Sequence, residues 1–183
     1  MAAPFIIAID PAINSGFCEG VVGKTPTLHA ERFPYDPEEI EVLYGAATVF
    51  FATFLKARKP DLIAIESPIM AAWGKTNAKT TDVTRGLYAI ITGIATAKSI
   101  PILRADIGTW RKWFLGRGNL KGKDAKAQCV MLCKQFGWHA PDHNAAEAAG
   151  IWSWAGSKLD PRLATRVEPL FVPRAEPSVL AAG

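Results

Sequence analysis

Residues 5–10 read Phe-Ile-Ile-Ala-Ile-Asp, and residues 62–66 read Leu-Ile-Ala-Ile-Glu. Each stretch is a continuous apolar run that ends in an acid, which is the pattern of a strand buried on both faces of a sheet. Helices must then cover both faces of that sheet. The two stretches therefore predict an α/β fold with carboxylates at the ends of neighbouring strands.

The rest of the chain supplies the other elements of this fold. Apolar patterning and turn residues predict three more strands, over 16–22, 25–33 and 100–104. They also predict helices over 37–58, 81–98, 124–136 and 143–157, with a short helix after Asp106. The order βββαβαβα predicts a mixed five-stranded sheet flanked by helices. We expect one folded domain over residues 1–157 and a Pro-containing tail over 158–183.

Composition narrows the class of protein. The chain has 183 residues, of which 49% are hydrophobic and 21% are charged, so we expect one globular domain and no extensive disorder. Its apolar runs are too short to predict a membrane span, and the N-terminus lacks the basic start of a signal peptide. Three cysteines do not suggest a disulfide framework or a zinc site. We therefore expect a cytoplasmic protein without membrane association.

Basic charge is concentrated in the middle of the chain. Residues 71–140 contain 12 Lys and Arg against three acids, whereas residues 1–70 contain five against nine. This asymmetry is typical of a protein that binds a polyanion, although a solvated charged face would look the same. No phosphate-binding loop of the Gly-x-x-x-x-Gly-Lys-Ser/Thr type is present, so we expect no nucleotide cofactor.

Three carboxylates are candidates for a catalytic site. Asp10 and Glu66 end two nearly identical strands, and Glu147 lies in a helix of small residues, where an unpaired charge would be costly to bury. Either strand acid alone is equally well explained as a turn former or a helix cap. Together, three acids would repel one another without a cation. Their hard oxygen ligands suit Mg²⁺, for which Mn²⁺ can substitute, and two such ions can promote phosphodiester hydrolysis.

Several motifs, in the right order, resemble the RuvC family of Holliday-junction resolvases. The opening Ile-Ala-Ile-Asp-Pro-Ala at residues 7–12 is similar to the family's Gly-Ile-Asp-Pro-Gly turn, with Ala12 in place of a glycine. The strand that ends at Glu66 resembles the second acidic strand, and residues 85–91 resemble the start of the central helix. Residues 110–118 resemble the family's basic residue and Gly-x-Gly loop. Lys126 resembles the lysine that follows this loop in the family, although this chain has about four more residues between the loop and the lysine. The last helix resembles the family's acidic helix.

The resemblance implies an RNase H-like fold and a metal-dependent endonuclease that resolves four-way DNA junctions. Asp10, Glu66 and Glu147 would then hold two Mg²⁺ ions per site, and Lys126 would stabilise charge at the scissile phosphate. A homodimer is implied, with the helix over 81–98 as its interface. A bacterial or phage-encoded protein would fit the resemblance.

Two departures from the family pattern leave alternatives open. Glu147 stands where the family has Asp, and Asn144 stands where it has Asp or His. Asp142, His143 or Asn144 is therefore the candidate fourth metal ligand, although Asp142 is most simply an N-cap. The same site could act on an RNA–DNA hybrid or a flap, or it could belong to a junction-binding protein whose cleavage is weakened.

The remaining candidate residues would contact DNA. Basic side chains near the glycine loop can bind phosphates, and the loop after Glu66 offers an aromatic residue that can stack on bases. A solubilising loop and a loop-anchoring aromatic are the structural alternatives. The candidates are Trp73, Lys75, Arg111, Arg117, Lys121 and Lys123.

Overall fold

The structure is a computed structural model that describes residues 2–68, 78–160 and 162, with the backbone alone for residues 78–80. It contains one five-stranded sheet in the order β3-β2-β1-β4-β5. β1 pairs antiparallel with β2 and parallel with β4, β2 pairs antiparallel with β3, and β4 pairs parallel with β5. The strands are β1 (Phe5–Asp10), β2 (Asn14–Val21), β3 (Thr27–Arg32), β4 (Leu62–Glu66) and β5 (Ile102–Ala105).

Helices cover both faces of the sheet. They are α1 (Ile40–Arg58), α2 (Ala78–Ala97), α3 (Ile107–Leu115), α4 (Gly122–Gln135) and α5 (His143–Leu159). α1 and α2 share a core with Ile7 and Ile9 of β1, whereas α3, α4 and α5 share a core with Ile6 and Ala8. The central strand is thus buried on both sides, which explains its uninterrupted apolar sequence. The predicted α/β fold with a mixed five-stranded sheet is confirmed.

Some element boundaries differ from the predicted ones. α1 begins at Ile40 rather than at residue 37, because Asp36 accepts a hydrogen bond from the Glu38 amide and forms a turn there. α5 runs to Leu159, so the first two residues of the predicted tail are helical. Most of that tail lies outside the described residues.

α1 is apolar enough to meet the length and hydropathy criteria for a membrane span. The prediction of no such span considered only shorter apolar runs. In the structure Leu43, Ala47, Phe51 and Leu55 of α1 are buried in the core beneath the sheet. α1 therefore packs one face on the core and leaves most of its residues outside the buried core, and a single helix of this kind is weak evidence for a membrane span.

Small residues allow α5 to lie directly on the sheet. A Cβ atom at Gly16 of β2 would come within 2.1 Å of the Asn144 backbone, and one at Gly150 would come within 2.7 Å of the Trp110 ring. Substituting either glycine would therefore push the helix away from its neighbours. This close approach sets the position of Glu147, which lies on α5 between the two contacts.

Candidate active site

Asp10 and Glu66 lie at the same edge of the sheet. Their strands are parallel neighbours in which Ile9 pairs with Ile65, so the two acids follow at adjacent positions. Burial raises the pKa of Asp10 well above its ordinary value, and the negative charges of Glu66 and Glu147 raise it further. Burial also raises the pKa of Glu66 to about 7, against a hydrogen bond from Trp110 that lowers it. The sheet thus holds two carboxylates where their charges repel.

Glu147 reaches this acidic pair from α5, and its carboxylate is paired with two cations. Arg111 of α3 donates from Nη2 to Oε1 of Glu147 at 2.7 Å. The Lys126 ammonium of α4 lies 3.8 Å from Oε2. Glu147 is only 4% exposed and Arg111 only 8%, so this is a buried ion pair. Pairing with Arg111 explains how a carboxylate is tolerated among small residues.

Trp110 is a site residue that the sequence did not identify. Its indole Nε1 donates to Oε2 of Glu66 at 2.8 Å, and its ring is completely buried. Trp110 and Arg111 are consecutive on α3, so one helix contacts two of the three acids. A tryptophan next to a basic residue is too common a pattern for the sequence alone to indicate this role.

The three candidates for a fourth metal ligand are Asp142, His143 and Asn144. In the part of the chain that the structure describes, none of their side chains has a hydrogen bond or ion pair with any of the three acids. Asp142 caps α5 as expected, because its Oδ1 accepts from the Ala145 amide at 2.8 Å and its Oδ2 accepts from the Asn14 side chain. The Asn144 side chain donates to the Asn14 backbone oxygen at 2.7 Å. His143 is exposed. Asn14 therefore fixes the start of α5, and the assignment of a fourth metal ligand stays a prediction.

The donor set at the sheet edge fits a divalent cation. Asp10 and Glu66 are oxygen donors whose mutual repulsion a cation would relieve, and no described side chain hydrogen-bonds to Asp10. Glu147 is different because both of its oxygens face protein cations. Within the described residues, no three His, Cys, Asp or Glu side chains lie together in a group that could hold a metal ion.

The basic residues divide into a buried one and an exposed group. Arg111 was predicted to contact DNA, but it is buried against Glu147 and does not lie on the surface. Arg117, Lys121 and Lys123 are exposed between α3 and the first turn of α4, as a phosphate-binding surface requires. Lys126 is 41% exposed and lies between this group and the acids. Trp73 and Lys75 lie outside the described residues.

The raised pKa of Glu66 predicts how stability depends on pH. Its charged form is disfavoured by folding, so the free energy of unfolding should fall as pH rises from the ordinary carboxyl pKa of about 4.5 through about 7. Glu66→Gln should therefore be more stable than the parent at pH 8 without metal, by roughly 1–3 kcal/mol, and equal to it below pH 4.5. Urea denaturation at both pH values measures this, and an equal difference at both would show that Glu66 ionises normally.

The sheet order and the helices on both of its faces define the fold class. A mixed five-stranded sheet in this order, flanked by helices, is an RNase H-like fold. No known protein family profile matches the sequence, and no curated protein sequence matches it.

Solved structures with a similar fold include three Holliday-junction resolvase structures. The RuvC structure of Thermus thermophilus matches with a TM-score of 0.64 at 19% identity, over 85% of this chain and 95% of RuvC. T. thermophilus RuvC in complex with a Holliday junction substrate matches with a TM-score of 0.62 at 18% identity, over 81% and 90% of the two chains. The yeast mitochondrial Holliday junction resolvase Ydc2 matches with 0.59 at 14% identity, over 86% and 81%. The chain therefore has the RuvC fold.

Proposed function

We propose that this protein is a metal-dependent endonuclease that resolves four-way DNA junctions. The observation that supports this most is that Asp10 and Glu66 lie side by side at one edge of the sheet, with Glu147 of α5 near enough for its charge to raise the pKa of both. The fold that brings them together is also that of T. thermophilus RuvC, whose structure is known with a Holliday junction substrate. Acid convergence suggests the chemistry, and the fold suggests the substrate.

Asp10 and Glu66 are the residues that would hold the metal, with Glu147 joining them. The chemistry that two bound Mg²⁺ ions, or Mn²⁺ in their place, would supply there is activation of water and stabilisation of the leaving oxygen of a phosphodiester. Trp110 orients Glu66 through its 2.8 Å hydrogen bond, which restricts the carboxylate to one direction. Lys126 is partly exposed beside Glu147, where its ammonium can stabilise negative charge on a bound phosphate.

The exposed basic group is the proposed DNA surface. Gly116 adopts the left-handed conformation, and a Cβ at Gly118 would come within 2.6 Å of the Gly108 oxygen, so this loop folds back on α3. α3 holds two of the acids through Trp110 and Arg111. Phosphates bound by this group would therefore lie near the acids.

Lys121→Ala combined with Lys123→Ala should weaken junction binding and flatten its salt dependence. For each bound phosphate that the variant no longer neutralises, the slope of log K against log salt should fall by up to about one unit. Fluorescence anisotropy of the labelled junction, at salt concentrations from about 50 to about 300 mM, measures this slope. Lys56→Ala, which removes an exposed cation from the last turn of α1, is the control and should keep the parent slope. An unchanged slope in the double variant would place Lys121 and Lys123 away from DNA.

A homodimer is part of the proposal, because resolution of a junction requires two symmetric cuts. α2 buries Val83, Leu87 and Ile91 toward the core and leaves the small residues Ala89 and Gly93 exposed. Such a surface permits close approach of a second copy. α2 is accordingly the proposed interface.

A second candidate is a junction-binding protein whose cleavage is weakened. The pairing of Glu147 with Arg111 and the turning of Asn144 toward Asn14 favour it, because both reduce the ligands available to a metal. An RNA–DNA hybrid or a flap remains the alternative substrate for an active site of this type.

A comparison of substrates tests the proposal. Binding and cleavage should be measured with Mg²⁺ on a four-way junction, an RNA–DNA hybrid and a flap of equal length. We expect preferential binding and cleavage of the junction. Preferential cleavage of the hybrid or the flap would show that the four-way junction is not the preferred substrate. Tight junction binding without cleavage would favour a junction-binding protein whose cleavage is weakened.

A further inference from the structure

The contacts of Glu147 assign a further role to Arg111. We propose that Arg111 is a resident counter-ion of the acidic site, which holds Glu147 in the metal-free protein and competes with the divalent cation for it. This inference rests on the proposed metal dependence and concerns how metal loading is controlled. In this role Arg111 is a positioning residue, because it acts on the metal through Glu147.

The first argument is that both oxygens of Glu147 already face cations. Arg111 contacts Oε1 at 2.7 Å, and Lys126 lies 3.8 Å from Oε2. A divalent cation that approaches Glu147 therefore meets a positive charge beside each of its carboxylate oxygens. Of the two, Arg111 is buried and makes the short contact, so it dominates the competition.

The second argument is that the Arg111 pair is incompletely satisfied. The Nε atom of Arg111 is buried and has no hydrogen-bond partner. A buried guanidinium with an unpaired donor does not recover its full desolvation cost. Its exchange for a metal ion is therefore less costly than the exchange of a fully bonded arginine.

The third argument is a second contact that Arg111 makes while it is paired with Glu147. Its guanidinium carbon lies 5.3 Å from the Trp110 ring centroid, where a cation is attracted to the aromatic face. Trp110 itself is fixed by Glu66. When a metal takes Glu147, the guanidinium can remain over this ring and keep part of its favourable interactions.

The net charge of the acidic site also supports competition between Arg111 and a divalent cation. When all three are ionised, Asp10, Glu66 and Glu147 bring three negative charges, of which Arg111 and Lys126 offset two. Removing Arg111 raises the negative charge that a divalent cation encounters. We therefore expect Arg111→Met, which keeps an apolar stem and removes the charge, to bind Mn²⁺ at least about tenfold more tightly than the parent.

Electron paramagnetic resonance of free Mn²⁺ measures this affinity without DNA and without cleavage. Arg111→Gln, which keeps a donor near Glu147, is the second variant in case Arg111→Met folds poorly, and it should also bind more tightly. Lys112→Met removes the same charge from the neighbouring, exposed residue of α3 and should stay within about twofold of the parent. The double variant Arg111→Met with Glu147→Gln should lose the gain.

Each outcome decides the inference. Tighter Mn²⁺ binding that depends on Glu147 supports it. Equal or weaker binding by both Arg111 variants would overturn it and leave the metal-dependent nuclease standing. Absence of Mn²⁺ binding by the parent and every variant would overturn both the inference and the proposed metal dependence.

Discussion

Asp10→Asn should abolish junction cleavage while junction binding persists. Asp10 lies at the centre of the acidic site, and burial together with Glu66 and Glu147 raises its pKa. A neutral amide there removes a negative charge from the proposed metal site and leaves the exposed basic group intact. We expect cleavage to fall by more than about 100-fold, beyond the usual effect of losing an outer-shell partner of a metal.

The measurement is a single-turnover nicking rate in Mg²⁺, with binding followed separately by anisotropy in EDTA. Asp61→Asn makes the same chemical change at an exposed position before β4, at the opposite end of that strand from Glu66, and should keep the parent rate. Undiminished cleavage by Asp10→Asn would remove Asp10 from the mechanism. Loss of binding as well would indicate a folding defect, which circular dichroism detects.

Glu147 is the second position where a large effect is expected. Glu147→Gln should reduce cleavage to the level of Asp10→Asn, because a neutral amide cannot offset the charge of a cation. It also leaves the buried Arg111 without its anionic partner, which should lower the free energy of unfolding by roughly 1–3 kcal/mol. Mg²⁺ titration of nicking and urea denaturation separate the two effects.

Glu147→Asp tests the length of this side chain. α5 is held at a fixed distance from the sheet by the contact between Gly16 and the Asn144 backbone. The shorter carboxylate should therefore give up its 2.7 Å hydrogen bond from Arg111 and reach less far toward Asp10. We expect a raised Mg²⁺ requirement and a reduced rate. Parent behaviour in both Glu147 variants would exclude α5 from the site.

The sequence predicted correctly those features that depend on a single short segment of the chain. The boundaries of β1 and β4 agree with the prediction, because an apolar run buried on both faces has few alternatives and the terminal acid marks its end. The Asp142 cap was also predictable, since the capping residue and the amide it accepts from are three residues apart. Both features are local.

The arrangement around the acids could not be predicted from the sequence. The Arg111–Glu147 pair joins residues 36 positions apart, and the Trp110–Glu66 hydrogen bond joins residues 44 positions apart. Asn14 reaches Asp142 across 128 positions. These partners depend on how α3 and α5 pack on the sheet, and so Arg111 was assigned to the DNA surface rather than to Glu147.

Mg²⁺-dependent nicking of a four-way junction tests the central claim most directly. The junction should carry a label on each strand in turn, and the protein should be incubated with Mg²⁺ or with EDTA. We predict symmetric nicks in two opposing strands, with 5′-phosphate and 3′-hydroxyl ends, in Mg²⁺ only. A junction that is bound but stays uncut in both Mg²⁺ and Mn²⁺, or that is cut equally in EDTA, would contradict the account.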